Sequence, residues 1–224
     1  MTTPEPTAPT DRQIQQAVLE ELEWTPSLDV ADVGVSVQHG AVTLSGVVAT
    51  YAERREAERA ALRVRGVTAV AEELRVEPAE QDVVHDDELA GTVARALADS
   101  ADVPAAAIAV VVRQGVVKLS GTVDTNQQRA AARRVVAGLR GVRGIDSRIE
   151  LRRRPSAPDA QERIRAAIRR NAVVDANHVT VRIEDTTAVL EGTVRSFAER
   201  RQAEHAAWAS PHVTAVDDRI RVVV

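Results

Sequence analysis

The 224-residue sequence contains no cysteine, which excludes disulfides, zinc–thiolate sites and cysteine nucleophiles. Aromatic residues make up only 2% of the chain, so its hydrophobic cores must be built from valine, isoleucine, leucine and alanine. No stretch approaches the run of about 18 apolar residues that a transmembrane helix needs. The N-terminus has neither the basic cluster nor the apolar run of a secretory signal, and we therefore expect a cytoplasmic protein.

The chain contains a repeated segment. Three related nine-residue stretches share a glycine at their seventh position, and these glycines, Gly46, Gly121 and Gly192, are 75 and 71 residues apart. Self-similarity at a period of about 73 residues predicts three small domains. Units of this size are marginally stable alone, so we expect them to pack on one another or on a second chain. The three stretches are residues 40–48, 115–123 and 186–194.

Each unit shows the same order of hydrophobic patterns. In the first unit, Ile14, Val18 and Leu22 have the spacing of an amphipathic helix. Two alternating stretches around a turn at His39 and Gly40 indicate a β-hairpin, and an alanine-rich helix and a third strand follow. The predicted fold class is α+β, with three tandem α-β-β-α-β units. The predicted boundaries are a disordered tail over residues 1–10, units over 11–76, 86–152 and 159–224, and linkers over 77–85 and 153–158.

Glycines are predicted to have structural roles in these units. We expect Gly46, and the equivalent Gly121 and Gly192, at the exit of the second strand, where a bulge or a close backbone approach leaves no room for a Cβ atom. Gly66 and Gly141 suit the left-handed position that closes the second helix.

The third unit keeps the pattern with two departures. Ile164, Ile168 and Ala172 have the spacing of its first helix. Thr186 and His212 stand where the other units have glycine. A positive φ at His212 would cost some stability, because a side chain with a Cβ atom disfavours that conformation.

The motifs carry a family resemblance. The Ile-x-x-Ala-Val/Ile spacing that starts at Ile14 and Ile164, together with Gly-x-Val-x-Leu-x-Gly-x-Val around Gly46 and Gly121, resembles the BON domain, the bacterial osmotically-inducible-protein and nodulation module. The resemblance implies two helices packed on one face of a small three-stranded sheet. It also implies a non-enzymatic protein that attaches to phospholipid surfaces or hydrophobic ligands in osmotic or envelope stress. Many relatives are periplasmic, whereas this sequence shows no signal peptide.

Charge is distributed unevenly among the units. Residues 86–154 contain 8 acidic and 12 basic residues, a net charge of +4. Residues 11–76 have a net charge of −4, and residues 159–224 have none. The middle unit is therefore the one expected to attract anions.

We predict an anion-binding patch on the second helix of the middle unit. Arg129, Arg133 and Arg140 fall within about 40° of one another on a helix that turns about 100° per residue. Guanidinium groups match phosphate oxygens, so anionic headgroups are the predicted ligands. The alternatives are a solvated helix flank and arginines paired with acids of neighbouring units. The Arg129 position recurs in the other units as Arg54 and Arg200.

Several function classes are disfavoured by the sequence. It contains no nucleophile elbow, phosphate-binding loop or dinucleotide fingerprint, so we predict no enzymatic activity and no cofactor. The five histidines are not spaced as metal ligands, and we predict no metal site. Gly138 and Gly141 have the spacing of a KH-type loop, but the scarcity of aromatic residues for base stacking argues against nucleic-acid binding.

The predicted function is a binding protein that attaches to anionic or amphipathic surfaces, with peripheral membrane association, mainly through the middle unit. Arg129→Glu combined with Arg133→Glu is then expected to remove binding and leave the fold intact. Two alternatives stay open: a protein–protein scaffold and a potassium-responsive sensor. Homo-oligomerisation also stays open. The four aromatic residues are interpreted either as packing residues or as interfacial anchors at a membrane. They are Trp24, Tyr51, Phe197 and Trp208.

Overall fold

In a computed structural model, the chain is described over residues 9–79, 83–153, 160–170 and 179–223. Most of the predicted tail, part of the first predicted linker and most of the second lie outside these ranges. Ala172, the last position of the predicted stripe on the third unit's first helix, also lies outside them.

Each unit contains two helices and three strands in the predicted order. The first unit consists of α1 (Asp11–Glu23), β1 (Val33–Gln38), β2 (Ala41–Val48), α2 (Tyr51–Arg63) and β3 (Ala69–Val76). The second consists of α3 (Asp86–Asp99), a short 3₁₀ turn (Ala105–Ala107), β4 (Ile108–Arg113), β5 (Val116–Val123), α4 (Asn126–Ala137) and β6 (Gly144–Leu151). The third consists of α5 (Ala160–Arg170), β7 (Val179–Glu184), β8 (Thr187–Val194), α6 (Phe197–Trp208) and β9 (Ala215–Val222).

The second strand of each unit lies at the centre of its sheet. β2 pairs antiparallel with β1 through the hairpin, and parallel with β3. The parallel pairing follows from the connection, because α2 carries the chain back to the starting edge before β3 begins. The other two sheets have the same strand order.

The core of each unit lies between the two helices and one face of the sheet. In the first unit, Val42 and Leu44 of β2 are buried with Val18 of α1 and Ala57 of α2. The second and third units contain equivalent clusters. On the opposite face of β2, Ala41 and Ser45 are exposed, and Thr43 and Val47 are partly exposed. The α+β fold class, with two helices on one face of a three-stranded sheet, is confirmed.

The repeat glycines lie inside their strands rather than at the exit we expected, because β2 continues to Val48 and β5 to Val123. Gly46 has φ = 116°, and a Cβ atom there would lie 1.9 Å from the carbonyl oxygen of Asp32. At Gly121, with φ = 140°, the corresponding distance to the carbonyl oxygen of Ala107 is 2.0 Å. At both glycines, the backbone just before the first strand of the unit lies directly against the second strand.

The prediction that Gly66 and Gly141 close the second helix is wrong, because both glycines lie beyond the C-cap residue of that helix. α4 ends at Ala137 and Gly138 is its C-cap residue, so Gly141 lies three residues beyond the cap. Gly66 likewise follows Val64, the cap of α2. Both glycines have positive φ, and a Cβ atom at Gly141 would lie 2.7 Å from Cβ of Val84. Gly141 is therefore explained by the close approach of the segment that precedes the first helix of its unit, and it does not cap a helix.

The two departures in the third unit are accommodated without left-handed backbone. Asp185 has φ = 55°, but neither Thr186 nor His212 is among the described residues with positive φ. The Thr186 hydroxyl instead forms a 2.8 Å hydrogen bond with that of Thr214. The stability cost considered for His212 therefore does not arise.

A carboxylate on the first helix holds the hairpin turn in two units. Asp86 accepts hydrogen bonds from the backbone N–H groups of Gln114 (2.7 Å) and Gly115 (2.9 Å). Asp11 does the same for His39 and Gly40 in the first unit. The N–H group of Gly115, followed by that of Gln114, lowers the pKa of Asp86, since both bonds favour the ionised carboxylate.

Asp86→Asn is expected to lower the melting temperature at pH 7, because an amide oxygen is a weaker acceptor than a carboxylate. The folded pKa of Asp86 lies below its unfolded value. Its contribution to stability is therefore present above the unfolded pKa and is lost as the pH falls through the folded pKa. Melting curves across that range should show the difference from wild type shrinking on acidification. Asp87→Asn, the same change one residue later, is the control; an equal, pH-independent loss in both variants would contradict the assignment.

The second helices of the three units face one another. Tyr51 at the start of α2 and Trp208 at the end of α6 both pack against the core of the middle unit. Phe197 at the start of α6 packs against the core of the first unit. Three of the four aromatic residues therefore pack between units. Trp24 differs from them, since 83% of its surface is exposed.

Candidate functional site

Two of the predicted arginines form ion pairs within their own units. Arg54 of α2 binds Glu72 of β3 at 2.5 Å, and Arg200 of α6 binds Asp218 of β9 at 2.7 Å. All four side chains are at least partly buried, with the acids 20% and 15% exposed. These pairs connect the second helix to the third strand, and their positive charge is already matched by an acid.

Arg129 occupies the same place in the middle unit but has different partners. The position of the acid is taken by Ser147, whose Oγ is buried and has no hydrogen-bond partner among the described residues. The Arg129 guanidinium donates to Oδ1 of Asn126 at 2.7 and 3.0 Å, and lies 4.6 Å from the ring centroid of Trp208 in the third unit. The indole Nε1 of Trp208 donates to Glu204 at 3.1 Å.

Burial is the main cause of a lowered pKa at Arg129, followed by the positive charge of Arg133, while Glu204 acts in the opposite direction. An arginine stays protonated under physiological conditions in spite of such a shift. Its charge is used in a cation–π contact between two units. Arg129 is therefore an interface residue rather than a freely exposed anion ligand.

The arginines of the predicted patch do not share one helix face. Arg140 was expected on the second helix, but α4 ends at Ala137, and Arg140 lies in the turn before β6. The angular relation that grouped Arg140 with Arg129 therefore does not hold. Arg133 does lie on α4 and is exposed, as is Arg134 beside it. Within the described ranges, no acidic side chain forms an ion pair with either of these two arginines.

A cleft of about 550 Å³ separates α4 of the middle unit from α2 of the first. Arg133 and Arg134 line one wall. On the other wall, Arg59 pairs with Glu56 at 2.6 Å, and Arg55 pairs with Glu58. Small and apolar residues complete the lining. They include Ala52, Ala130, Ala137 and Ile145.

Sequence reasoning did not single out Arg134 or the contribution of α2. The signal for Arg134 was present in the +4 charge of the middle unit and in its position next to Arg133. The cleft itself depends on how two units meet, which a local pattern does not contain.

In the described part of the chain, no group of three or more histidine or acidic side chains is arranged to hold a metal ion. None of the described helices combines the length and the apolarity required to cross a bilayer.

The repeated α-β-β-α-β architecture agrees with a sequence match to the BON domain over residues 10–78, 85–153 and 156–224. The chain belongs to the BON domain family. Osmotically-inducible protein Y from Escherichia coli strain K12 is 34% identical over 140 residues, which is 60% of this chain and 69% of that protein. This BON protein is thus related to a protein named for its osmotic induction.

Two solved structures of CdsD, a structural protein of the type III secretion system of Chlamydia trachomatis, also align with the chain. Their sequences are 13% and 14% identical to this chain. Each alignment includes 93% of this chain, and it includes 96% of the first CdsD chain and 91% of the second. Their TM-scores of 0.27 and 0.26 give no basis for comparing overall arrangements.

Proposed function

We propose that this stress-response BON protein is non-enzymatic and attaches to anionic phospholipid surfaces through Arg133 and Arg134. The observation that carries the proposal is a pair of adjacent, exposed arginines on the basic unit, with no acidic partner in the described part of the chain. Each basic residue near an anionic bilayer contributes about 1 kcal/mol to binding. The middle unit, with its net charge of +4, would approach the membrane first.

The structure changes which variants test this proposal. Arg129→Glu would remove the contact with Trp208 and would place a carboxylate near Glu204, so it perturbs the interface between units. The sharper variant is Arg133→Glu with Arg134→Glu, which changes two exposed side chains on α4. Arg95→Glu with Arg113→Glu is the matched control, since it removes the same charge from the same unit at other places.

Co-sedimentation with phosphatidylglycerol and phosphatidylcholine vesicles is the test. Wild type should bind the anionic vesicles, and binding should weaken with added salt, which screens exposed charges. The Arg133/Arg134 variant should bind at least about 30-fold more weakly, because two contacts of about 1 kcal/mol each are replaced by repulsion. The control variant should keep most of the binding.

The alternatives predict other results in the same assay. A scaffold protein would bind neither vesicle, and a potassium-responsive protein would change its hydrodynamic radius with potassium but not with sodium. Equal losses in the two double variants would show that net charge, and not the α4 arginines, controls attachment.

A further inference from the structure

Trp24 is the largest apolar side chain that the described surface exposes. It caps the C-terminus of α1, and 83% of its surface is accessible. Leu19, one and a half turns earlier, is 38% exposed. Exposed tryptophan is informative, because covering an indole removes a large apolar area from water and tryptophan is enriched where proteins bind each other.

The acids around Trp24 indicate what could cover it. Glu20 and Glu23 are exposed beside it, and residues 11–76 have a net charge of −4. An anionic bilayer would repel this surface, so Trp24 is poorly placed as a membrane anchor. A basic protein surface would be attracted to it.

The molecule already contains such a contact between two of its own units. Trp208 follows Glu204 by four residues, and Trp24 follows Glu20 by four. The indole of Trp208 donates a hydrogen bond to Glu204. The guanidinium of Arg129, on α4, stacks on the same indole. On α1 the glutamate and tryptophan share this spacing, although Glu20 accepts its hydrogen bond from Gln16 at 3.0 Å. An arginine-bearing helix would match this surface as Arg129 matches Trp208.

The cleft between α2 and α4 has the matching chemistry. Its volume of about 550 Å³ lies within the range of about 300–1,000 Å³ usual for ligand pockets, which is ample for an indole. Arg133 and Arg134 offer guanidinium groups for stacking and for pairing with carboxylates. Glu56, the acid that lines this cleft, is already paired with Arg59.

We propose that Trp24 of one copy of this chain inserts into the cleft between α2 and α4 of a second copy, with Glu20 and Glu23 paired to Arg133 and Arg134. Each chain carries one such tryptophan surface and one such cleft. A two-fold dimer therefore makes the contact twice, with the unit of charge −4 against the unit of charge +4 in both places.

Charge-reversal complementation tests this pairing. Glu20→Arg with Glu23→Arg makes the α1 surface basic, and Arg133→Glu with Arg134→Glu makes the cleft acidic. Each variant alone should be monomeric in low-salt light scattering coupled to gel filtration, where wild type should be dimeric. An equimolar mixture of the two should be dimeric, because each altered surface then meets its opposite. Variants that dimerise alone like wild type, or a mixture that stays monomeric, would overturn the proposal.

Trp24→Ala separates this inference from the proposed function, which uses the same two arginines. It should weaken self-association at least about 30-fold, as expected for a central tryptophan of an interface. Vesicle binding by Trp24→Ala should be kept or improved, since Arg133 and Arg134 are then freely accessible. Glu73→Arg, an exposed change on the open sheet face of the first unit, is the control and should leave the dimer unchanged. Dimerisation that survives Trp24→Ala would also rule out this contact.

Discussion

Gly121→Ala is expected to destabilise the protein by roughly 3 kcal/mol, which is a large share of the stability of a native domain. Two effects contribute. Gly121 has φ = 140°, a conformation that residues with a Cβ atom rarely adopt. The new methyl group would also lie 2.0 Å from the Ala107 carbonyl oxygen, which can move only if β4 moves with it. Urea unfolding followed by circular dichroism measures the loss.

Gly91→Ala is the matched control for that experiment. Gly91 lies inside α3, and nothing comes within 4 Å of the Cβ atom that alanine would add. Because alanine is the better helix former, this variant should be more stable than wild type by about 0.5–1 kcal/mol. The two substitutions are chemically identical and have opposite expected signs. If Gly121→Ala were also neutral or stabilising, the close approach of β4 and β5 would be wrong.

The fold could be predicted because its signals are local and occur three times. The stripe of Ile14, Val18 and Leu22 on α1 and the alternation in β2 are periodicities within one element, and the same cluster buries both. The end of α4 was harder to predict. α4 ends at Ala137, three residues before Arg140, with Gly138 as its C-cap residue. A pattern of arginine positions alone does not show where helical geometry ends.

The candidate site depends on contacts between units, which periodicity does not report. Arg129 meets Trp208 of another unit, far along the chain. One clue was nevertheless available in the repeat itself. Glu72 and Asp218 pair with the equivalent arginines, whereas Ser147 stands at that place in the middle unit. An alignment of the three units shows that Arg129 lacks the acidic partner that the equivalent arginines of the other two units have. Arg129 therefore needs a different partner.

Trp208→Ala is expected to cost about 2–3 kcal/mol and to uncouple the third unit from the second. The side chain packs against the cores of both units, so its removal takes apolar contacts from each. It also removes the aromatic face on which Arg129 stacks. The cost should fall below that of a fully buried tryptophan, because Trp208 is only half-buried. Calorimetry is expected to show one transition for wild type and two for the variant, with one component at lower temperature.

Trp24→Ala is the control for Trp208→Ala, since it deletes the same side chain at a site that is 83% exposed. It should change the free energy of unfolding by no more than about 0.5 kcal/mol. The comparison requires high salt and a protein concentration at which the proposed dimer is dissociated, so that mass action does not add to stability. Equal effects of the two deletions would mean that Trp208 contributes no more than a surface residue. If Trp208→Ala costs more than Trp24→Ala but the transition does not split, the packing contribution of Trp208 is confirmed. Tyr51 and Phe197 would then suffice to couple the units.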